Sequence, residues 1–266
     1  MASSWQNKAE EFVMINVLIH GCNGRMGNMV SALSANYEEI HIAAGVDRAD
    51  TPDGGKSYPI YETLADVKEK ADVIIDISTA TAMDGLFAYI CETKIPAVIC
   101  TTGLSKEQEE EIDALSKEVP ILRSGNMSMG INTLLKVIKD ISKTLTGAGF
   151  DVEIVEKHHR TKVDAPSGTA IMLADAVKEG TQEDYDYVYG RNERRSVRPQ
   201  NEIGISSVRG GTIVGEHEVI FAGTDEVIEI RHTAFSRAVF ANGALNAALF
   251  LSQQKAGLYS MSDVIG

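Results

Sequence analysis

Residues 15–19 (Ile-Asn-Val-Leu-Ile) form a short apolar run that breaks at once into Gly21-Cys22-Asn23-Gly24-Arg25-Met26-Gly27, and a helical spacing of apolar residues through Met29, Val30 and Leu33 follows. Strand, glycine turn and helix in that order leave few alternatives. The glycines permit a tight turn, and the helix start presents unpaired N–H groups and the positive end of its dipole to whatever lies beyond. That is the setting in which a dinucleotide pyrophosphate is held. The spacing is G-x-x-G-x-x-G rather than G-x-G-x-x-G, which a purely structural glycine turn also satisfies.

The next apolar run, 40–46, ends in Asp47, twenty positions after Gly27. A carboxylate there can accept hydrogen bonds from the adenosine ribose hydroxyls, which favours NADH. Arg48 follows, and a guanidinium beside the ribose can neutralise a 2'-phosphate, which admits NADPH as well. The plainer use of the pair is a strand-end turn into Thr51-Pro52-Asp53-Gly54-Gly55; the cofactor reading is preferred because the two features arrive in the right order.

Strand-like and helical patterns then alternate: strands near 58–61, 73–78, 97–100 and 120–122, helices near 64–70, 82–93 and 105–117. Repeated strand-helix units imply an α/β fold with a Rossmann-type doubly wound parallel sheet, whose ligands sit beyond the carboxyl ends of the strands. Cys100, Thr101 and Thr102, and then Ser124, Gly125, Asn126 and Met127, follow such ends and are expected on the nicotinamide side. The texture changes after residue 128. A helix over 129–143, a strand over 150–157, a helix over 169–179 and strands over 203–208, 212–222 and 226–233 without helices between them predict a C-terminal α+β domain with a mixed sheet. The polar stretch 181–200, with Arg191, Arg194, Arg195 and Arg198, reads as a solvated loop. An amphipathic helix over 235–255 closes the chain. The expected division is a leader over 1–13, a dinucleotide-binding domain over 14–128, a substrate-binding and oligomerisation domain over 129–234, and a returning helix within 235–266.

One run remains: Glu156-Lys157-His158-His159-Arg160-Thr161-Lys162-Val163-Asp164-Ala165-Pro166-Ser167-Gly168-Thr169-Ala170. It is a cationic island in a chain of net charge −13. Ser167 or Thr169 is placed to cap the helix that follows, so N–H groups, a helix dipole and several cations converge on one spot suited to a carboxylate or phosphate. Two adjacent histidines at a strand end are on their own more often structural, as are His217 and His232 further on. The global charge and a pI near 4.9 argue against nucleic acid or an anionic membrane as partner. Three cysteines, none in a C-x-x-C spacing, suggest neither a disulfide framework nor a metal site and fit a reducing cytoplasm.

The run resembles the signature of the dihydrodipicolinate reductase (4-hydroxy-tetrahydrodipicolinate reductase) family, E-x-H-H-x-x-K-x-D-x-P-S-G-T-A, and meets every fixed position from Glu156 to Ala170. Gly-Arg-Met-Gly at 24–27, Thr-Thr-Gly at 101–103 and the 209–217 run are similar to family segments too, so the likeness spans nearly everything from residue 14 on. Two departures stand out. Cys100 replaces a glycine common in the family, which leaves open the backbone contact there, and Ser206 stands where some members have histidine. The resemblance implies NADH- or NADPH-dependent reduction of a cyclic dicarboxylate. It implies His158 as general acid/base, Lys162 as second proton donor or charge stabiliser, His159 on one substrate carboxylate, and Gly168 and Thr169 with Ser167 on the other. It also implies Gly21 to Met26, Asp47 and Arg48 at the dinucleotide, and a homotetramer. A semialdehyde dehydrogenase would want a nucleophilic cysteine in the second half, where there is none. A non-catalytic redox sensor would leave the histidine-lysine island unused.

Overall fold

The computed structural model describes residues 13–48, 55–192 and 195–266; residues 1–12 of the leader, the turn at 51–54 and Arg194 lie outside them. The elements run β1 (Ile15–His20), α1 (Arg25–Ser34), β2 (Ile40–Val46), β3 (Ile60–Tyr61), β4 (Val73–Asp76), α2 (Met83–Thr93), β5 (Ala97–Ile99), α3 (Lys106–Ser116) and β6 (Pro120–Arg123). They continue α4 (Met129–Gly147), β7 (Asp151–His158), α5 (Gly168–Thr181), β8 (Asp186–Val188), β9 (Glu202–Arg209), β10 (Gly215–Ala222), β11 (Val227–Ala234), α6 (Ala238–Leu251), β12 (Gly257–Tyr259) and α7 (Met261–Ile265). Two compact units result, one of the chain up to Ile121 with Leu245–Gly257, the other of Leu122–Ala244 with Leu258–Gly266.

The first unit is built on a sheet of order β12-β6-β5-β4-β1-β2-β3. β1 pairs in parallel with β2 and β4, as do β2 with β3 and β4 with β5. Val17, Leu18, Ile19, Val73, Ile74, Ile75, Val98 and Ile99 are wholly buried, as unbroken apolar runs require of strands covered on both faces. Each such side chain contributes roughly 1.5–3 kcal/mol by leaving water. The strand order reverses between β1 and β4, so the switch point of the sheet falls where β1 ends at His20 and β4 at Asp76.

The second unit holds a mixed sheet of order β11-β10-β7-β9-β8. β10 runs antiparallel to β7 and β11, while β9 runs parallel to β7 and β8. β7 is central, and its burial alternates strictly: Val152, Ile154, Glu156 and His158 face inward. Val152 and Ile154 pack with Ile138 of α4, Leu173, Ala174 and Val177 of α5, and Val219 and Phe221 of β10. The same strand face therefore runs from apolar core into two ionisable groups.

Three expectations need correction. The helix over 64–70 shrinks to one 3-10 turn, Leu64–Asp66, because Thr63 makes no side-chain cap and Val67 is already extended; a single uncapped turn does not propagate into a helix. The stretch 181–200 is no free loop. It contains β8, and Arg191 pairs with Glu153 and Glu202 at 2.6 Å each, while Arg198 pairs with Asp151 at 2.7 Å and Glu153 at 2.9 Å. The outward acids of β7 collect these arginines. Finally, α6 is not amphipathic: none of its residues is exposed, in keeping with its apolar composition all round.

Candidate active site

In the first unit the turn after β1 is shaped by backbone crowding. Gly21 sits at φ +87°, and a Cβ there would lie 2.7 Å from the Ile77 carbonyl oxygen; one on Gly27 would lie 2.3 Å from that of Gly21. Only glycine allows α1 to start so close to β1. Gly24 is the N-cap and offers no side-chain hydrogen bond, so the first N–H groups of α1 stay open to an anion. Asp47, at the end of β2, accepts from the Asn23 N–H through Oδ2 and from the Arg48 N–H through Oδ1, both at 2.8 Å. A cavity of about 580 Å³ beside this turn is lined by Gly21, Gly24, Asp47, Arg48, Ser78 and Thr79 among others. An open helix start, a glycine turn and a carboxylate with a guanidinium at the end of the next strand fit a dinucleotide.

The other expected residues of this unit divide. Cys22 is fully buried, and burial first, then the Asp47 carboxylate, pushes its thiol up to about 11, so it can offer a ligand only backbone. Arg25 is exposed and Met26 half-buried on the first turn of α1. The Cys100 N–H donates to the Asp76 carbonyl at 2.8 Å. Thr101 is buried with its hydroxyl unpartnered, and Thr102 is exposed. Sequence reasoning passed over Lys56, whose Nζ reaches Asn23 Oδ1 at 3.0 Å and Asn28 Oδ1 at 2.7 Å. It also passed over His20, which lines the cavity and meets Asp76 Oδ1 through Nδ1 at 2.9 Å.

The second unit assembles the cationic run. The buried Glu156 carboxylate meets His158 Nδ1 at 2.6 Å on Oε2, accepts both arms of Arg209 at 2.7 and 2.6 Å, and takes the Ser167 N–H at 3.1 Å on Oε1. Burial would raise its pKa, but the Arg209 bonds and then His158 outweigh it and hold the acid down at about 2. Burial is also the largest influence on His158 and lowers it, opposed by Glu156 and reinforced by Lys162 and Arg209. Glu156 is already shared with Arg209, so the neutral imidazole is the resting state at pH 7. With Nδ1 engaged, Nε2 is the free nitrogen. A Cβ on Gly215 would stand 3.2 Å from it, so the glycine keeps it accessible.

Around this pair, Lys162 Nζ rests on Asp164 Oδ1 at 2.9 Å, and Arg209 holds the Asp164 carbonyl at 2.7 Å. Burial tends to raise the Asp164 carboxyl, and Lys162 brings it below the usual range. His159 meets the Thr161 hydroxyl at 2.8 Å and is half-buried. Ser167 caps α5 by accepting from the Ala170 N–H, which leaves the N–H groups of Gly168 and Thr169 at the mouth of the helix. Ser124, Gly125, Asn126 and Met127 belong to this unit, and Asn126 Nδ2 donates to the Thr169 hydroxyl at 2.9 Å.

Models of the dihydrodipicolinate reductase N-terminus and C-terminus match residues 15–127 and 130–265. The chain belongs to the dihydrodipicolinate reductase family. It is 53% identical over 253 residues to the 4-hydroxy-tetrahydrodipicolinate reductase of Caldanaerobacter subterraneus subsp. tengcongensis, covering 95% of this chain and 99% of that one. It is 46% identical over 256 residues to the enzyme of the same name from Clostridium tetani, covering 96% and 99%. The solved structure of a dipicolinate-bound dihydrodipicolinate reductase from Paenisporosarcina sp. TG-14 superimposes with a TM-score of 0.75 at 26% identity over 93% of this chain and 98% of that one. A probable dehydrogenase from Thermotoga maritima, at 12% identity and a TM-score of 0.60 over 94% and 92%, shares the fold.

The chain is thus an oxidoreductase of the dihydrodipicolinate reductase family. Glu156, Arg209 and His217 were not assigned to the site from the sequence, although the structure gathers them around His158. The signal for Glu156 was there, since it shares the inward alternation of Val152, Ile154 and His158. Arg209 and His217 arrive through strand register alone: His158 stands opposite Arg209, and Glu156 opposite His217. Among the described residues, no cluster of three or more His, Cys, Asp or Glu could hold a metal ion, and no helix is long and apolar enough to cross a membrane.

Proposed function

We propose that the chain reduces (2S,4S)-4-hydroxy-2,3,4,5-tetrahydrodipicolinate to (S)-2,3,4,5-tetrahydrodipicolinate with loss of water, in the diaminopimelate route to lysine. The observation that carries this reading is the buried Glu156-His158 pair in the same unit as the uncapped N–H groups of Gly168 and Thr169. It supplies a proton-transfer group and an anion cradle, the two things a cyclic dianion undergoing reduction requires. The reduced nicotinamide of NADH or NADPH supplies the hydride; Gly21 to Met26 receive its pyrophosphate, and Asp47 and Arg48 its adenosine ribose. The loop at 100–102 completes the cofactor contacts of the first unit.

His158, protonated, gives a proton from Nε2 to the ring position next to the one reduced, while Glu156 holds Nδ1, stabilising the imidazolium before the transfer and orienting the neutral ring after it. The two carboxylates of the substrate raise His158 toward the protonated form, against the burial that lowers it in the free protein. Lys162 leaves Asp164 to balance charge on the ring or to deliver a second proton. His159 contacts one carboxylate; Ser167, Gly168 and Thr169 hold the other. The chain acts in the cytoplasm as a homotetramer, needs no metal, and has no nucleic-acid or membrane partner.

The test is loss of nicotinamide absorbance in a coupled assay that generates the substrate from pyruvate and aspartate semialdehyde, with NADH and NADPH in parallel. Turnover with either cofactor that falls about a hundredfold or more in His158→Gln supports the assignment. A folded protein that binds dinucleotide and does not turn over refutes it.

A further inference from the structure

His217 occupies the third position of β10 and is only 4% exposed. Its Nε2 lies 2.9 Å from Ser167 Oγ, and its ring meets that of His158 edge-on at 5.1 Å and 72°. Its Nδ1 is buried without a hydrogen-bond partner. Across the β10–β11 pair stands His232, whose Nδ1 is equally unpartnered, so neither ring satisfies the other. Burial, and then the neighbouring His158, hold His217 neutral, down to about 3. A neutral imidazole has one proton to place.

On Nδ1 that proton would be an orphaned buried N–H, the rarer and costlier defect; on Nε2 it is used, and only a lone pair goes unmet. Ser167 Oγ then accepts twice, from His217 Nε2–H and from the Ala170 N–H that it caps at 3.2 Å. Both lone pairs are occupied, so the hydroxyl has only its proton to offer a ligand.

We propose that His217 is a positioning residue that, by donating Nε2–H to Ser167 Oγ, locks the cap of α5 and makes the Ser167 hydroxyl a donor to a substrate carboxylate. This rests on the reading of Ser167, Gly168 and Thr169 as the carboxylate cradle. The Ser167 N–H is fixed by Glu156, so one serine is tied to the proton-transfer pair through its backbone and to His217 through its side chain.

The experiment measures KM for the dicarboxylate, kcat and dinucleotide Kd in His217→Leu, His217→Gln, Ser167→Ala and the Leu/Ala double variant. His217→Leu is expected to raise KM about tenfold or more, the value of a hydrogen bond to a charged group, with kcat within about threefold. His217→Gln, whose side-chain amide offers an N–H in the place of Nε2–H, recovers most of this. The double variant is no worse than Ser167→Ala, since both act through one hydroxyl. An unchanged near-ultraviolet circular dichroism spectrum shows that each variant is folded, and an unchanged dinucleotide Kd that the first unit is untouched. A Gln variant as impaired as the Leu variant, or additive losses in the double variant, overturns the role of His217. An impaired Ser167→Ala beside an unimpaired His217→Leu overturns that role alone; an unchanged KM in Ser167→Ala overturns the cradle reading, and the positioning role with it.

Discussion

Glu156→Gln should move the acid side of the pH–rate profile, not merely lower it. The carboxylate accepts from His158 Nδ1 and Arg209 on Oε2, and from Arg209 and the Ser167 N–H on Oε1. A glutamine has one oxygen and one NH2 for these places. Turned toward Arg209 and Ser167, the NH2 would face two donors; turned toward His158, it faces one arm of Arg209 and an imidazole that can accept by moving its proton to Nε2. The second placement is the less costly. It serves the neutral ring but sets donor against donor once the ring is protonated. The imidazolium thus loses one charge-assisted hydrogen bond, about 1.5–3 kcal/mol, which is about ten- to a hundredfold in kcat near neutral pH. The variant should regain part of the loss as the pH is lowered. Steady-state kcat between pH 5 and 9, with the near-ultraviolet circular dichroism spectrum at each pH as a control for folding, makes the measurement. A profile parallel to that of the parent at every pH would refute the claim that Glu156 acts through the charge state of His158.

Three further outcomes follow from the geometry. Lys162→Ala should cut kcat about a hundredfold or more while leaving the melting temperature unchanged, because the Lys162 ion pair is with the exposed Asp164 carboxylate. Gly27→Ala should cost about 1–3 kcal/mol in denaturant titration and weaken dinucleotide binding, since the new Cβ meets the Gly21 oxygen at 2.3 Å and Cys22 backbone at 2.5 Å. Acid should destabilise the second unit well above carboxylate pKa values. The unfolded chain protonates its histidines near 6.5, but burial holds folded His217 down to about 3, so stability is lost as the pH falls through that window. His158 and His232 shift in the same direction. For His217 alone the loss reaches about 2 kcal/mol by pH 5, and melts of the parent and His217→Gln at pH 5 and 7.5 should show a smaller drop in the variant.

Much of the fold was legible because it is written in local periodicity. The run into Gly21 and Gly27, and the strand ending at Val46, correspond to β1, α1 and β2 as read. So does the change from alternating strand and helix to successive strands. Where local pattern was weak it misled: Leu64 and Val67 have helical spacing and both pack on the core, yet with no cap at Thr63 the backbone is already extended at Val67. The Arg191 and Arg198 pairs were invisible because Asp151 and Glu153 come from β7, far back along the chain, and Glu202 reaches Arg191 only once β9 has paired beside β7. The site divides the same way. His158, Lys162, Ser167, Gly168 and Thr169 lie within twelve residues and read as a motif. Arg209 and His217 join them only through the pairing of β7 with β9 and β10, which no spacing along the chain encodes.

Because Val152 and Ile154 share the inner face of β7 with Glu156 and His158, shifting that strand by one residue would turn all four outward and bring Asp151, Glu153, Val155 and Lys157 into the apolar interior. No one-residue slip of β7 keeps the greasy half and spoils the chemical half. Turnover regained during renaturation therefore counts molecules whose central strand has found its alignment, and a collapsed intermediate, however rich in strand content, should be silent in the assay.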